Sequence, residues 1–393
     1  MTEPASQSNQ TLEARLRARL IREGPISFYE WMTTALYDER GGYYCRADRV
    51  RQGRAGDYRT APETSPLFAA TFARYFANLF ARLGSPNSLT IIEAGAGNGE
   101  FAHGILTNLQ SNHPEVFAAT DYLIDEIGAA SRARASARIS DFEGKVRFAG
   151  VGNPRVSNPD LSGLSDRPTP AGLPGWGPRG RASDTIIFSN ELIDAFPVHR
   201  VTMRDGKLRE LCVGLNEHRF VWVDCEPNEL VREYCRRVGL NLAEGQTAEI
   251  NLDAEDFVAR AAASIERGFL VTVDYGAERD ELNSTPHRFS GTLRAFHNHQ
   301  LIEDVLARPG EQDLTTTVDW TQLREAGERA GLQTVRHERL DQFLLQEGLL
   351  DVLENLASGA PDDVEALRLR TSAREMILPH GLTASFQILV QEK

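Results

Sequence analysis

Leu89-Thr90-Ile91-Ile92-Glu93-Ala94-Gly95-Ala96-Gly97-Asn98-Gly99-Glu100-Phe101 is an apolar run ending in an acid, followed by alternating glycines and then by residues suited to a helix reaching Leu109. An apolar run of this length bounded by glycine reads as a buried parallel strand, and the glycines let backbone approach a ligand at the helix start. A dinucleotide fingerprint needs G-x-G-x-x-G. After Gly95 and Gly97 the third glycine falls one place early, at Gly99, and Glu100 stands where that fingerprint requires glycine. The spacing therefore disfavours a nicotinamide cofactor.

Tyr122 to Glu126, Thr185 to Ser189 and Phe269 to Asp274 repeat the short apolar run, with helical patterns between them. Alternating strands and helices predict a doubly wound, mostly parallel α/β sheet. Between Val198 and Val223 the apolar positions Leu208, Leu211, Val213, Phe220, Val221 and Val223 predict an inserted antiparallel meander. Before the sheet, Leu12, Leu16 and Leu20 recur at helical spacing, Ser27 is placed to cap Phe28 to Leu36, and Ser65-Pro66 opens a helix through Leu83. The expected organisation is an N-terminal helical cover and loop over 1–85, then a core over 86–393. That core carries a Gly/Pro-rich loop at about 150–183 and a β-rich and helical insertion at about 198–250.

Composition narrows the function classes. The chain has 393 residues, a net charge of −13, 41% hydrophobic and 25% charged residues. A chain of that length can bury a large core, and its acidic balance repels nucleic-acid phosphates and anionic lipid. Four cysteines with no C-x-x-C pair indicate neither zinc nor a disulfide framework. The polar N-terminus and the lack of any apolar stretch near the ~18 residues needed for a span predict no membrane insertion and a cytoplasmic location.

A second polar constellation follows the third core strand: Asn190-Glu191-Leu192-Ile193-Asp194-Ala195-Phe196-Pro197-Val198-His199. Ligands of open α/β sheets collect beyond the carboxyl ends of the strands, so these side chains are expected beside the glycine loop. If a helical turn starts there with Asn190 as its cap, Glu191 and Asp194 share a face. They then either orient a cationic or hydroxyl acceptor and take its proton, or serve only the helix start. Asp274 and Tyr275 end another strand and offer a second polar wall, and the loop Gly56-Asp57-Tyr58-Arg59-Thr60-Ala61-Pro62-Glu63 is long enough to fold over a site. His297 and His299 form an H-x-H without a suitably spaced third ligand, so hydrogen-bonding roles are expected and no metal site.

The glycine spacing resembles motif I of Class I S-adenosylmethionine methyltransferases. Together with Gly24-Pro25-Ile26-Ser27-Phe28, Gly41-Gly42-Tyr43-Tyr44, Thr60-Ala61-Pro62-Glu63, Asn190 to Val198, Asp274-Tyr275-Gly276, Gly291-Thr292-Leu293-Arg294 and Asp313-Leu314-Thr315, it resembles the MidA-type methyltransferase family. That family includes a mitochondrial protein arginine methyltransferase that assists respiratory complex I assembly. The resemblance implies a Class I methyltransferase sheet and S-adenosyl-L-methionine as cofactor. Glu93 would engage the cofactor's amino group and Glu126 its ribose hydroxyls, with Gly95, Gly97, Gly99 and Asn190 completing the cofactor set. Asp57, Glu191, Asp194 and Asp274 would line the acceptor side as catalytic candidates. The implied acceptor is a protein side chain such as arginine, by analogy on a respiratory-complex subunit. A small-molecule acceptor and a non-catalytic assembly factor are the alternatives. The sequence departs from the family pattern at Ala96, Asn98, Thr317 and Gln387, where proline, arginine, histidine and lysine are usual.

Overall fold

A computed structural model of the chain describes residues 11–46, 65–149, 184–284, 286–298, 300–378, 383 and 385–393. It divides into two compact units. One holds the described residues before Arg49 with Ala195–Asp253 and Arg279–Thr317; the other holds those of Val50–Asp194, Ala254–Glu278 and Val318–Lys393. The division differs from the expected 1–85 cover, because Pro66–Arg82 belongs to the sheet unit. Its sequence is apolar around most of its circumference and buries Phe68, Phe72, Phe76 and nine further residues. Such a helix is stable only inside a core. Each fully buried phenylalanine contributes roughly 1.5–3 kcal/mol.

The sheet unit is built on eight strands, ordered Gln333–Arg339, Phe386–Glu392, Gly268–Ala277, Asp184–Asn190, Leu89–Ala94, Thr120–Asp125 and Val146–Phe148, with Val318–Asp319 paired to Gly268–Ala277. From Gly268–Ala277 to Val146–Phe148 every pairing is parallel; Phe386–Glu392 runs antiparallel between its two neighbours. All six residues of Leu89–Ala94 are buried, as a strand covered on both faces requires. On one face Phe188 stacks on Phe101 at 4.3 Å and meets Phe72 at 5.1 Å, which fixes the strand whose next residues are Ser189 and Asn190. The chain leaves Leu89–Ala94 towards Thr120–Asp125 and later crosses back to Asp184–Asn190 on the other side. The gap between those two connections is the switch point where open α/β sheets hold ligands.

The other unit contains the expected meander. Lys207–Asn216 pairs antiparallel with Arg219–Cys225 from Glu210 to Asn216, with His199–Arg204 in its first half and with Ile26–Ser27 in its second. Thr247–Ile250 extends this sheet beside His199–Arg204. Phe28–Tyr37 begins with a full capping box, in which Ser27 Oγ accepts from the Glu30 amide and Glu30 accepts from the Ser27 amide. A three-stranded sheet of Gln300–Ile302, Arg294–His297 and Asp313–Thr315 completes the unit. His297 has a hydrogen-bonding role there, with Nδ1 2.7 Å from the Glu311 carbonyl.

Candidate cofactor and acceptor site

Strand Leu89–Ala94 delivers Glu93 to the carboxyl edge of the sheet, and the chain then turns through Gly95, Gly97 and Gly99, with φ of 77°, 55° and 77°. Gly99 caps helix Glu100–Asn112 in the left-handed conformation, and a Cβ there would lie 2.9 Å from that of Ala135. Only glycine meets both conditions without strain. The next strand end ties down the same turn. Asp125 O accepts from the Gly95 amide at 2.7 Å, and Glu126 accepts from the Gly97 amide at 2.8 Å and the Gly128 amide at 2.7 Å.

Glu93 is 5% exposed, and the phenol of Tyr122 donates to its Oε2 at 2.7 Å. Burial pushes the Glu93 carboxyl up to about 8. The Tyr122 bond opposes that shift and the charge of Glu126 adds to it. Tyr122 is itself fully buried, and burial, followed by the charge of Glu93, holds its phenol well above the usual range. Sequence reasoning did not pick out Tyr122. The available signal was a phenol opening the apolar run Tyr122 to Ile124, since such a group finds a partner when buried. Which partner depends on the Ile91 to Tyr122 register.

The second constellation does not form a helical turn. Asn190 is the last residue of its strand, not a helix cap, and Glu191 takes φ 49°, outside helical geometry. Glu191 and Asp194 are therefore placed by a strained, hydrogen-bonded turn instead of a shared helix face. The Glu191 amide donates to Val273 O at 3.0 Å, and Asn190 Nδ2 donates to Glu191 Oε1 at 3.1 Å. Asn190 Oδ1 is buried and accepts no hydrogen bond from the described residues. Leu192 packs against the glycine loop so closely that a Cβ on Gly95 would lie 2.9 Å from it, so the two loops are in direct contact.

Asp274 corrects another expectation. It is fully buried and does not line an acceptor wall. Its oxygens accept from the amides of Ile193 at 3.0 Å, Asp194 at 3.3 Å and Tyr275 at 2.9 Å, which fastens the Glu191 to Asp194 turn to the neighbouring strand. Burial, then the charges of Asp194 and Glu191, raise its carboxyl well above the usual range. Tyr275, by contrast, reaches the turn directly, and its phenol donates to Asp194 Oδ2 at 2.6 Å. The structure thus brings Glu93, Glu126, the three glycines, Asn190, Glu191 and Asp194 to one edge of the sheet. Asp57 and the Gly150 to Arg181 loop lie outside the described residues.

This edge presents acceptors: a buried carboxyl without a cationic partner among the described residues, a second carboxylate, and a buried amide oxygen to which no described residue donates. Such a set of acceptors fits a ligand carrying a cationic nitrogen and hydroxyl groups. A family model described as S-adenosyl-L-methionine-dependent methyltransferase matches residues 71–337. The chain belongs to this family. A structure from Burkholderia thailandensis with S-adenosylhomocysteine bound superposes with a TM-score of 0.79 at 28% identity, covering 97% of this chain and 92% of that one. Among curated relatives, the Drosophila melanogaster "Protein arginine methyltransferase NDUFAF7 homolog, mitochondrial" is 27% identical, covering 98% of this chain and 85% of the relative. The Danio rerio "Protein arginine methyltransferase NDUFAF7, mitochondrial" is 26% identical, with 98% and 87% covered. The protein is an S-adenosylmethionine-dependent methyltransferase with the Class I fold. The cytoplasmic expectation is overturned, because these relatives are named as mitochondrial. No helix among the described residues is long and apolar enough to cross a membrane.

Proposed function

We propose that this methyltransferase modifies arginine side chains of protein substrates, with Glu93, Gly95, Gly97, Gly99, Glu126 and Asn190 on the cofactor side and Glu191 and Asp194 on the acceptor side. The carrying observation is the group of acceptors on the Asn190 to Asp194 turn, two carboxylates and an amide oxygen. Asn190 Oδ1 is buried without a described donor, Glu191 is held by the Asn190 amide, and Asp194 is held by the Tyr275 phenol. A guanidinium offers five N–H donors in a fixed fork and no acceptor, so it complements such a wall, whereas a carboxylate or phosphate would be repelled. The names of the curated relatives support the same acceptor.

The cofactor supplies the methyl group on a cationic sulfur. The protein's task is to hold the acceptor nitrogen in line with it and to remove a proton as the nitrogen loses its lone pair. Asp194, fixed by Tyr275 at 2.6 Å, is the group assigned to that proton, and Glu191 is assigned to orienting the guanidinium. Asp274 acts through the turn and is a positioning residue. The division into a 1–85 cover and an 86–393 core is replaced in this reading by the two units of the structure, with the whole cofactor set in the sheet unit. The test uses S-adenosylmethionine labelled on its methyl group, an extract of cells lacking this protein, and hydrolysis of the labelled protein fraction. Label recovered as methylarginine supports the proposal. Label confined to small molecules would replace the acceptor, and cofactor binding with no transfer at all would point to an assembly role.

A further inference from the structure

The titratable groups that act on Glu93 are a phenol and an acid. Glu93 lies on strand Leu89–Ala94 beside Tyr122 of Thr120–Asp125, with Glu126 just past that strand's end. The charged and titratable groups facing it are Tyr122, which donates to Oε2, and Glu126, whose charge opposes its ionisation. The helices packed on this face, Pro66–Arg82 and Glu100–Asn112, turn Phe68, Phe72, Phe76, Phe101 and Ile105 towards the sheet. No arginine, lysine or histidine among the described residues forms an ion pair with Glu93, although arginine pairs are frequent elsewhere in the chain. Oε1 accepts no hydrogen bond from any described residue.

We infer that Tyr122 is a positioning residue for cofactor capture: its phenol steadies Glu93 as the carboxyl gives up a proton to receive the cofactor's ammonium group, so binding and proton release are coupled. This rests on the assignment of Glu93 to the cofactor's amino group. The balance is simple. In the free protein at neutral pH the carboxyl holds its proton, because burial raises it to about 8. When the ammonium arrives, the carboxyl O–H breaks, its proton passes to solvent, and the carboxylate keeps the Tyr122 O–H bond while gaining an ammonium partner. A buried carboxylate accepting from both a phenol and a cation is far better compensated than the lone carboxylate would be.

The sign follows from linkage. A group that must lose a proton on binding makes affinity rise with pH below its free pKa, by at most about tenfold per pH unit, and level off above it. Calorimetric titration of the full-length protein with S-adenosylhomocysteine tests this. The titrations run from about pH 6 to about pH 7.5, where an α-amino group remains largely protonated, in buffers of different ionisation enthalpy. The expected result is release of nearly one proton per ligand at the acid end and an affinity rising by about ten- to thirtyfold across the range. Tyr122→Phe keeps the ring and removes the donor. It is expected to weaken binding about ten- to a hundredfold at neutral pH and to move the plateau to higher pH, as loss of a hydrogen bond to a charged group implies. Glu93→Gln is expected to remove the proton release. Binding without proton release and with flat pH dependence would overturn the inference while leaving the cofactor site standing. So would a Tyr122→Phe variant with the wild-type profile. Absence of binding at every pH would overturn the cofactor assignment itself.

Discussion

Two glutamates stand at strand ends on the same edge of one sheet and have opposite surroundings. Glu93 is buried beside a phenol and another acid, and its carboxyl rises to about 8. Glu278 follows strand Gly268–Ala277 and meets Arg324 in a two-pronged ion pair at 2.6 and 2.7 Å, with Thr321 and His337 beside it; hydrogen bonding to Arg324 brings it down to about 2. Among the described residues, a cation stands at Glu278 but none at Glu93. A buried acid left uncompensated is costly unless something else supplies the charge, and the cofactor's amino group has that role in the function proposed above. The difference separates an acid compensated within the structure from one that, in the proposed function, is compensated by a ligand.

The largest expected break in this contrast comes from the glycine turn. Gly97→Arg places a long side chain at φ 55° in the turn whose amide meets Glu126, and we expect affinity for S-adenosylhomocysteine to fall by at least about a thousandfold, roughly 4 kcal/mol. The circular dichroism spectrum should stay native, since the turn lies at the sheet edge. Unchanged affinity in this variant would remove the glycine loop from the site.

Asp194→Asn comes next. It keeps an oxygen for the Tyr275 phenol but cannot take a proton, so turnover should fall about a hundredfold while cofactor affinity stays within about twofold. Equal losses in both quantities would assign Asp194 to cofactor binding instead. Asp274→Ala strands three backbone amides and should cost about 3 kcal/mol in denaturant unfolding. Asp274→Asn keeps one acceptor oxygen of the two, so it should cost less, about 2 kcal/mol.

The smallest effect belongs to Glu278→Gln. The Glu278 side chain is 45% exposed, so solvent screening holds the expected loss below about 1 kcal/mol, with cofactor affinity unchanged. The pH dependence has a definite sign. A carboxyl lowered to about 2 stabilises the fold above its ordinary value, and that contribution is lost as pH falls towards 2. For Glu93 the shift is upward, so its burial weighs on the free fold increasingly as pH rises from its ordinary value of 4.5 to about 8. Urea titrations of wild type, Glu278→Gln and Glu93→Gln across this span should show the first variant flattening the acid limb and the second flattening the neutral one.

Much of this was legible in the chain. The strands over Leu89, Tyr122, Thr185 and Phe269 announced themselves as apolar runs, and the glycine turn and Glu126 fall where the pattern places them. Ser27 and Ser65 also mark helix starts through side-chain caps that local sequence alone specifies. What stayed hidden depends on register and on tertiary packing. Tyr122 meets Glu93 because two parallel strands align at Ile91 and Tyr122, and Asp274 reaches the amides of Ile193 and Asp194 across some eighty residues of chain. Helix periodicity also misled at Glu191, where pairing of its amide with Val273 favours a left-handed turn over a helical start. The helix Pro66–Arg82 was correctly bounded but wrongly grouped, since sequence position says nothing about which core an apolar helix enters.

A crystal structure of this protein with S-adenosylhomocysteine bound would settle the contrast between the two glutamates most directly. We expect the ligand's amino nitrogen within about 3.2 Å of the Glu93 carboxylate and its ribose hydroxyls on Glu126, with the Glu278 to Arg324 pair unchanged. A ligand seated away from Glu93, with its ammonium on another acid or in solvent, would contradict the account.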